Sequence, residues 1–268
     1  MTGKRSPWRA ALDLAAGHYL SALVILGFFL AWEFAVWFFG ISEFMLPSPS
    51  SALSHLFFKQ PDADYHWGIN IQTTLYEFII AFAVTSVLGI AIGILIVWSR
   101  HAGRVLMPAF VFINSLPIIA VAPILLLWMG YGTTTNILLA FLLSFFPVVI
   151  NTISGLEAIE DDLLNLIRYL HASKFQIFVK IRIPNSLPYV FSGLKICATM
   201  SVVGAIVGEF IASEYGLGHI IVNSQYAMDT PPIFSSLILI SLFGGGLYLL
   251  VSFLEWVCMP WTRVRERA

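Results

Sequence analysis

Residues 71–98 read IQTTLYEFIIAFAVTSVLGIAIGILIVW, 28 residues with a single charged side chain, Glu77. A helix rises about 1.5 Å per residue, so about 20 apolar residues cross the roughly 30 Å hydrocarbon core of a bilayer. This run is long enough to cross it. Five more stretches share its character: 19–39, 105–129, 133–152, 187–212 and 232–257. The composition agrees, with 59% hydrophobic and 11% charged residues where soluble domains carry about 25% charged. The fold class expected is an all-α membrane protein of six transmembrane helices forming one transmembrane domain over 1–268. Its longest connection, 153–186, is too short for a soluble domain of about 50 residues.

Lys and Arg near spans are retained on the cytoplasmic side. Lys4, Arg5, Arg9, Arg100, Arg104, Arg168, Lys174, Lys180, Arg182, Arg263, Arg265 and Arg267 all fall on one side, against Lys59 alone on the other. Both termini are therefore expected inside, with 153–186 as a cytoplasmic loop. Trp37 and Trp128 near the outer ends, and Trp98, Trp256 and Trp261 near the inner ends, fit the interfacial aromatic belt. The first span is longer than a signal-peptide core and lacks a small-x-small cleavage site after it, so it is expected to be retained.

With 14 Lys and Arg against 15 Asp and Glu, no basic surplus points to nucleic acid. Cys197 and Cys258 lie far apart in apolar runs, with neither a CxxC nor a His neighbour, and read as packing residues with no metal site. Gly89/Gly93 and Gly204/Gly208 are spaced four apart, which brings helix backbones close; the spacing serves packing within the chain or a subunit interface. Pro117, Pro123 and Pro147 predict kinks. Glu33, Glu77, Lys195 and Glu209 are ionisable groups within apolar stretches and must face protein, water or an interface.

Between the fourth and fifth spans, residues 157–188 read EAIEDDLLNLIRYLHASKFQIFVKIRIPNSLP. Ile159, Leu163, Leu166, Ile167 and Leu170 recur at helical spacing, with Glu160, Asp161 and Asp162 at the helix start, where the dipole favours negative charge. A second short helix is expected after a Ser173 cap, with Phe175, Phe178 and Val179 on one face and Pro184 and Pro188 closing it. Connections of about 2 to 8 residues are usual, so a loop of this length is expected to dock a partner.

This loop resembles the cytoplasmic signature of the permease subunits of bacterial ABC importers, EAA, three residues, Gly, nine residues, then I-x-L-P. Alignment on Ile181, Ile183 and Pro184 sets Asn165, Leu166 and Ile167 at EAA and His171 at the glycine. The run from His171 through Ala172, Ser173, Lys174 and Phe175 to Gln176 is similar to the family's Gly-Ala-Ser-basic-aromatic-Gln. Leu46-Pro47-Ser48-Pro49-Ser50, Ser115-Leu116-Pro117, Gly204 through Glu209, Gly216-Leu217-Gly218 and Asp229-Thr230-Pro231 resemble landmarks of the nitrate, sulfonate and taurine branch, which also imports thiamine precursors and related heterocycles.

The resemblance implies a pathway made by two permease copies, expected as a homodimer in the bacterial inner membrane. A dimer of cytoplasmic ABC ATPases would drive it, and a periplasmic or lipid-anchored binding protein would deliver the solute. The coupling residues it implies are Asn165, Leu166, Ile167, His171, Ala172, Ser173, Phe175, Phe178, Ile181 and Pro184. Candidates for the pathway are Asn114, Ser115, Thr199, Ser201 and Glu209. No G-x-x-x-x-G-K-[ST] occurs, so ATP is expected on the partner, with no cofactor on this chain and no catalysis by it. HExxH and GxSxG are also missing, which disfavours an intramembrane enzyme. An ion-coupled secondary transporter using Glu33 or Glu209 is the remaining rival, but no inverted repeat is visible.

Overall fold

The computed structural model describes residues 23, 24, 26–57 and 65–260. The basic residues of both tails, Lys59, Trp261 and the start of the first span lie outside them. Among the described residues every element is helical: α1 (Leu26–Phe39), α2 (Pro49–Phe57), α3 (Trp67–Trp98), α4 (Arg100–Asn114), α5 (Ile118–Met129), α6 (Thr133–Glu157), α7 (Asp161–Tyr169), α8 (Lys174–Ile177), a π-helical turn over Phe178–Arg182, α9 (Ile183–Ala212), α10 (Leu217–Ala227) and α11 (Thr230–Cys258). The chain divides into two compact units, one of 1–64 with 223–235 and the other of 65–222 with 236–268.

In the smaller unit α1 carries Glu33, whose carboxylate accepts from the Ser50 amide at 3.0 Å and the Ser50 hydroxyl at 2.6 Å. Ser48 Oγ accepts from the Ser51 amide at 3.2 Å. Pro49 is the first residue of α2, where a missing N–H costs nothing. The intramembrane carboxyl of the first span is thus a cap for the start of α2. Thr230 Oγ1 donates to Phe44 O at 2.5 Å and Ser235 Oγ to Ala52 O at 2.8 Å.

The larger unit is built on α6, which packs against both α9 and α3, while α3 also meets α9. Its glycines explain the closeness. A Cβ on Gly89 would lie 2.8 Å from Val148 Cγ1, one on Gly93 2.7 Å from Thr152 Cβ, one on Gly204 2.5 Å from Ala140 Cα and one on Gly208 2.8 Å from Asn136 Cα. Both pairs therefore face α6 of the same chain. Lys195 on α9 forms an ion pair with Glu255 on α11, so neither is left as a lone charge in an apolar stretch.

Among the described residues, four helices are by length and composition able to cross a membrane: α3, α6, the continuous run Lys174–Ile211 and α11. The third span, expected over 105–129 as one helix kinked at its prolines, is corrected to a broken one. His101–Asn114 and Ile118–Met129 are two helices bent by 96°, and count as a fifth span only if taken together. Pro117 sits at the break: it has no N–H to give, and its own backbone is extended, with φ −69° and ψ 99°. A fresh helix then starts with Ala120 N–H on Pro117 O at 2.8 Å. Pro123 and Pro147 lie inside α5 and α6 without ending them. Of the first span, α1 is described as a shorter apolar helix.

Candidate functional site: the α7–α9 segment and a buried polar junction

α7 ends in a turn that favours glycine. Among the described residues of this segment His171 alone has positive φ, at 58°, and the Ala172 amide reaches back to Ile167 O at 3.4 Å. That is the αL residue of a Schellman-type ending, the position where glycine is commonest. Two residues on, Ser173 Oγ accepts from the Gln176 amide at 3.2 Å and Gln176 Oε1 accepts from the Ser173 amide at 2.9 Å, a complete capping box. The segment is therefore fixed by its own backbone chemistry.

The expectation that Pro184 and Pro188 close the second short helix is corrected. α8, the π turn and α9 run on as one helix past both prolines: Pro184 directly follows the π turn as the second residue of α9, and Pro188 lies inside α9. The continuous helix also separates the two aromatics expected on one outward face. Phe175 is 65% exposed, whereas Phe178 is buried and meets Trp98 edge to face at 5.0 Å. Asn165, Leu166, His171, Ser173 and Pro184 are exposed, and Ile167, Ala172 and Ile181 are half-buried. The base of the loop is closed by Arg182 Nη1 on Leu156 O at 3.2 Å and Asn185 Nδ2 on Ala158 O at 3.0 Å. The Arg182 cation at the C-terminus of α6 suits that helix's dipole.

The pathway candidates do not form one cluster. Asn114 and Ser115 sit exposed at the α4–α5 bend, where Asn114 borders an apolar hollow lined by Phe110, Leu142, Phe145 and Phe146. Thr199 is exposed and Ser201 buried; their hydroxyls, like that of Ser115, donate to carbonyls of their own helices at 2.8–3.1 Å. Glu209 is 1% exposed. Its Oε1 accepts from Thr74 Oγ1 at 2.5 Å and its Oε2 from the Gly218 amide at 2.6 Å.

Around Glu209 lies a junction that the motif reading did not assemble. Asn70 Oδ1 accepts from the Gly216 amide at 2.5 Å, and Thr74 Oγ1 from the Leu217 amide at 2.9 Å. With Glu209 on Gly218, three side chains from α3 and α9 satisfy the orphan donors at the start of α10. Gly216 has φ +122°, and a Cβ on it would run into the Glu209 carboxyl; Gly-Leu-Gly is the sequence that leaves this space. Asn136 Nδ2 donates to Glu77 Oε1 at 2.8 Å, tying α6 to the same cluster. The available signal was the i, i+3 spacing of Thr74 and Glu77, which puts both on one face of α3.

The family model described as "Binding-protein-dependent transport system inner membrane component" matches residues 85–257. The formylaminopyrimidine transport permease protein ThiX of Halalkalibacterium halodurans is 30% identical over 241 residues, covering 90% of this chain and 95% of the relative. The nitrate import permease protein NrtB of Synechocystis is 31% identical over 222 residues, covering 80% and 81%. A structure of the inward-facing MetNI methionine ABC transporter superposes with a TM-score of 0.55 at 19% identity, over 69% of this chain and 95% of that one, a likeness of fold.

Proposed function

Because the chain belongs to the binding-protein-dependent transport inner membrane components, we propose that it forms, with a second copy of itself, the pathway of an ABC importer. In this reading its α7–α9 segment docks a cytoplasmic ATPase dimer, and a periplasmic or lipid-anchored protein presents the solute. The observation that carries the docking assignment is the exposed Phe175, set on a segment that a capping box and the His171 turn hold in one shape. Asn165, Leu166, Ile167, Ala172, Ile181 and Pro184 complete the surface; Phe178 serves it from behind by packing on Trp98.

Six crossings with both termini inside remain the topology proposed, on the strength of the basic-residue asymmetry. The cargo is a small polar solute, either an anion of the nitrate, sulfonate or taurine kind or an aromatic heterocycle such as a thiamine precursor. The phenylalanine-lined hollow beside Asn114 favours the heterocycle, with Asn114 as its polar contact; Ser115, Thr199 and Ser201 are not part of its lining. Glu209 acts on the pathway through the α10 junction.

Phe175→Ala tests the docking assignment. Loss of an aromatic anchor of about 2 kcal/mol weakens ATPase association about thirtyfold and uptake with it, while the chain still inserts. Full ATPase association by Phe175→Ala would remove this segment as the docking element. Competition of uptake by nitrate, taurine or a pyrimidine separates the cargo classes.

A further inference from the structure

One polar cluster inside the larger unit holds two carboxyl groups, Glu77 of α3 and Glu209 of α9: Thr74, one turn before Glu77, donates to Glu209, and Asn136, which donates to Glu77, packs against Gly208 beside Glu209. Glu77 is fully buried and Glu209 nearly so. The groups turned toward them are Asn70 and Thr74 from α3, Asn136 from α6, and the amides of Gly216, Leu217 and Gly218 at the start of α10. Lys195, the cation of α9, is committed to Glu255. His219 follows Gly218 on α10 and is half-buried, and Glu214 is exposed.

Hydrogen-bond donors around the pair are unevenly spread. Glu209 receives Thr74 O–H and Gly218 N–H, one on each oxygen, and lies at a helix N-terminus, whose dipole favours an anion. Among the described residues Glu77 receives only Asn136 Nδ2–H, on Oε1. Among them too, Glu77 Oε2 and Asn136 Oδ1 are buried acceptors without a donor. The Thr74 hydroxyl is already used in both directions. Two adjacent carboxylates in a low-dielectric interior repel each other strongly, and such pairs hold one proton between them. A hard metal cation asks for about six or more oxygen ligands, and two vacant acceptors fall far short of that.

The geometry points to a proton-binding site in the transmembrane core, in which a proton on Glu77 Oε2 is donated to the Glu209 carboxylate. The pair then carries one negative charge, and that charge is the one stabilised by Thr74, Gly218 and the α10 terminus. The site joins α3, α6, α9 and the start of α10 through a single hydrogen, independently of which solute is carried.

The test is infrared spectroscopy of the assembled transporter in lipid, comparing wild type with Glu77→Gln and Glu77→Ala. Wild type should show the C=O stretch of a protonated carboxylic acid, and Glu77→Gln should lose it. Glu77→Gln should also assemble and melt at the wild-type temperature, since its amide N–H replaces the O–H donor and its oxygen still faces Asn136. Glu77→Ala should melt lower. A spectrum with no band lost in Glu77→Gln, or failure of that variant to assemble, overturns the assignment. So does a wild-type melting temperature that rises with Na⁺ or K⁺ over choline at equal ionic strength, which would put a metal cation in the site.

Discussion

The helices α2 and α10 both begin with a carboxylate borrowed from a neighbouring helix, Glu33 for the one and Glu209 for the other. They differ in what else is present. α2 has its own Ser48 cap and Pro49 at the first position, so local sequence starts the helix and Glu33 adds to it. α10 has Gly216 before its first residue and no capping side chain there. Its first amides are met by Asn70, Thr74 and Glu209, up to 146 residues away in sequence. The start of α2 is thus a local feature, whereas the start of α10 exists only once α3 and α9 are packed.

That contrast fixes the order of mutational effects. Glu209→Ala strips partners from Thr74 and the Gly218 amide in a buried site, at about 1–3 kcal/mol for each unsatisfied group. It should lower the melting temperature sharply and reduce the yield of assembled transporter on size-exclusion chromatography. Glu33→Ala leaves the Ser48 cap in place and should cost about 1 kcal/mol, read as faster hydrogen exchange at the Ser50 amide with assembly intact. Equal losses from the two alanines would break the comparison. The smallest change is expected at the purely local α7 terminus. His171→Gly removes an L side chain from φ 58° and should slow exchange at the Ala172 amide by an amount worth less than about 1 kcal/mol, with ATPase association kept.

The same distinction governs what could be read from the sequence. Long apolar runs report themselves, because lipid leaves the backbone no other solution than helix. The Ser173 cap is legible because it depends on residues within one turn, and His171 stands where the resemblance sets a glycine, a position its φ of 58° suits. The 96° bend at Pro117 was expected only as a kink: proline marks the place, but the angle is set by which neighbours cover the freed groups. Phe175 and Phe178, three apart, read as one face of an independent short helix; the continuous π-turn junction with α9 sets Phe178 against Trp98 instead. The Glu77, Asn136 and Glu209 cluster was out of reach for a different reason. Its members carry no local pattern, and only the close approach of three helices, permitted by Gly204 and Gly208 against α6, brings them together.

Among these packing residues, the two thiols have unequal chemical fates. Cys197 is fully enclosed between helices, while Cys258 is exposed at the last residue of α11. Thiol reagents act on accessible thiolates, so the wild-type chain offers one site for a maleimide dye or spin label. That handle sits at the end of a helix that can cross the membrane. It supplies a probe of which face of the bilayer α11 ends on, without a single engineered cysteine.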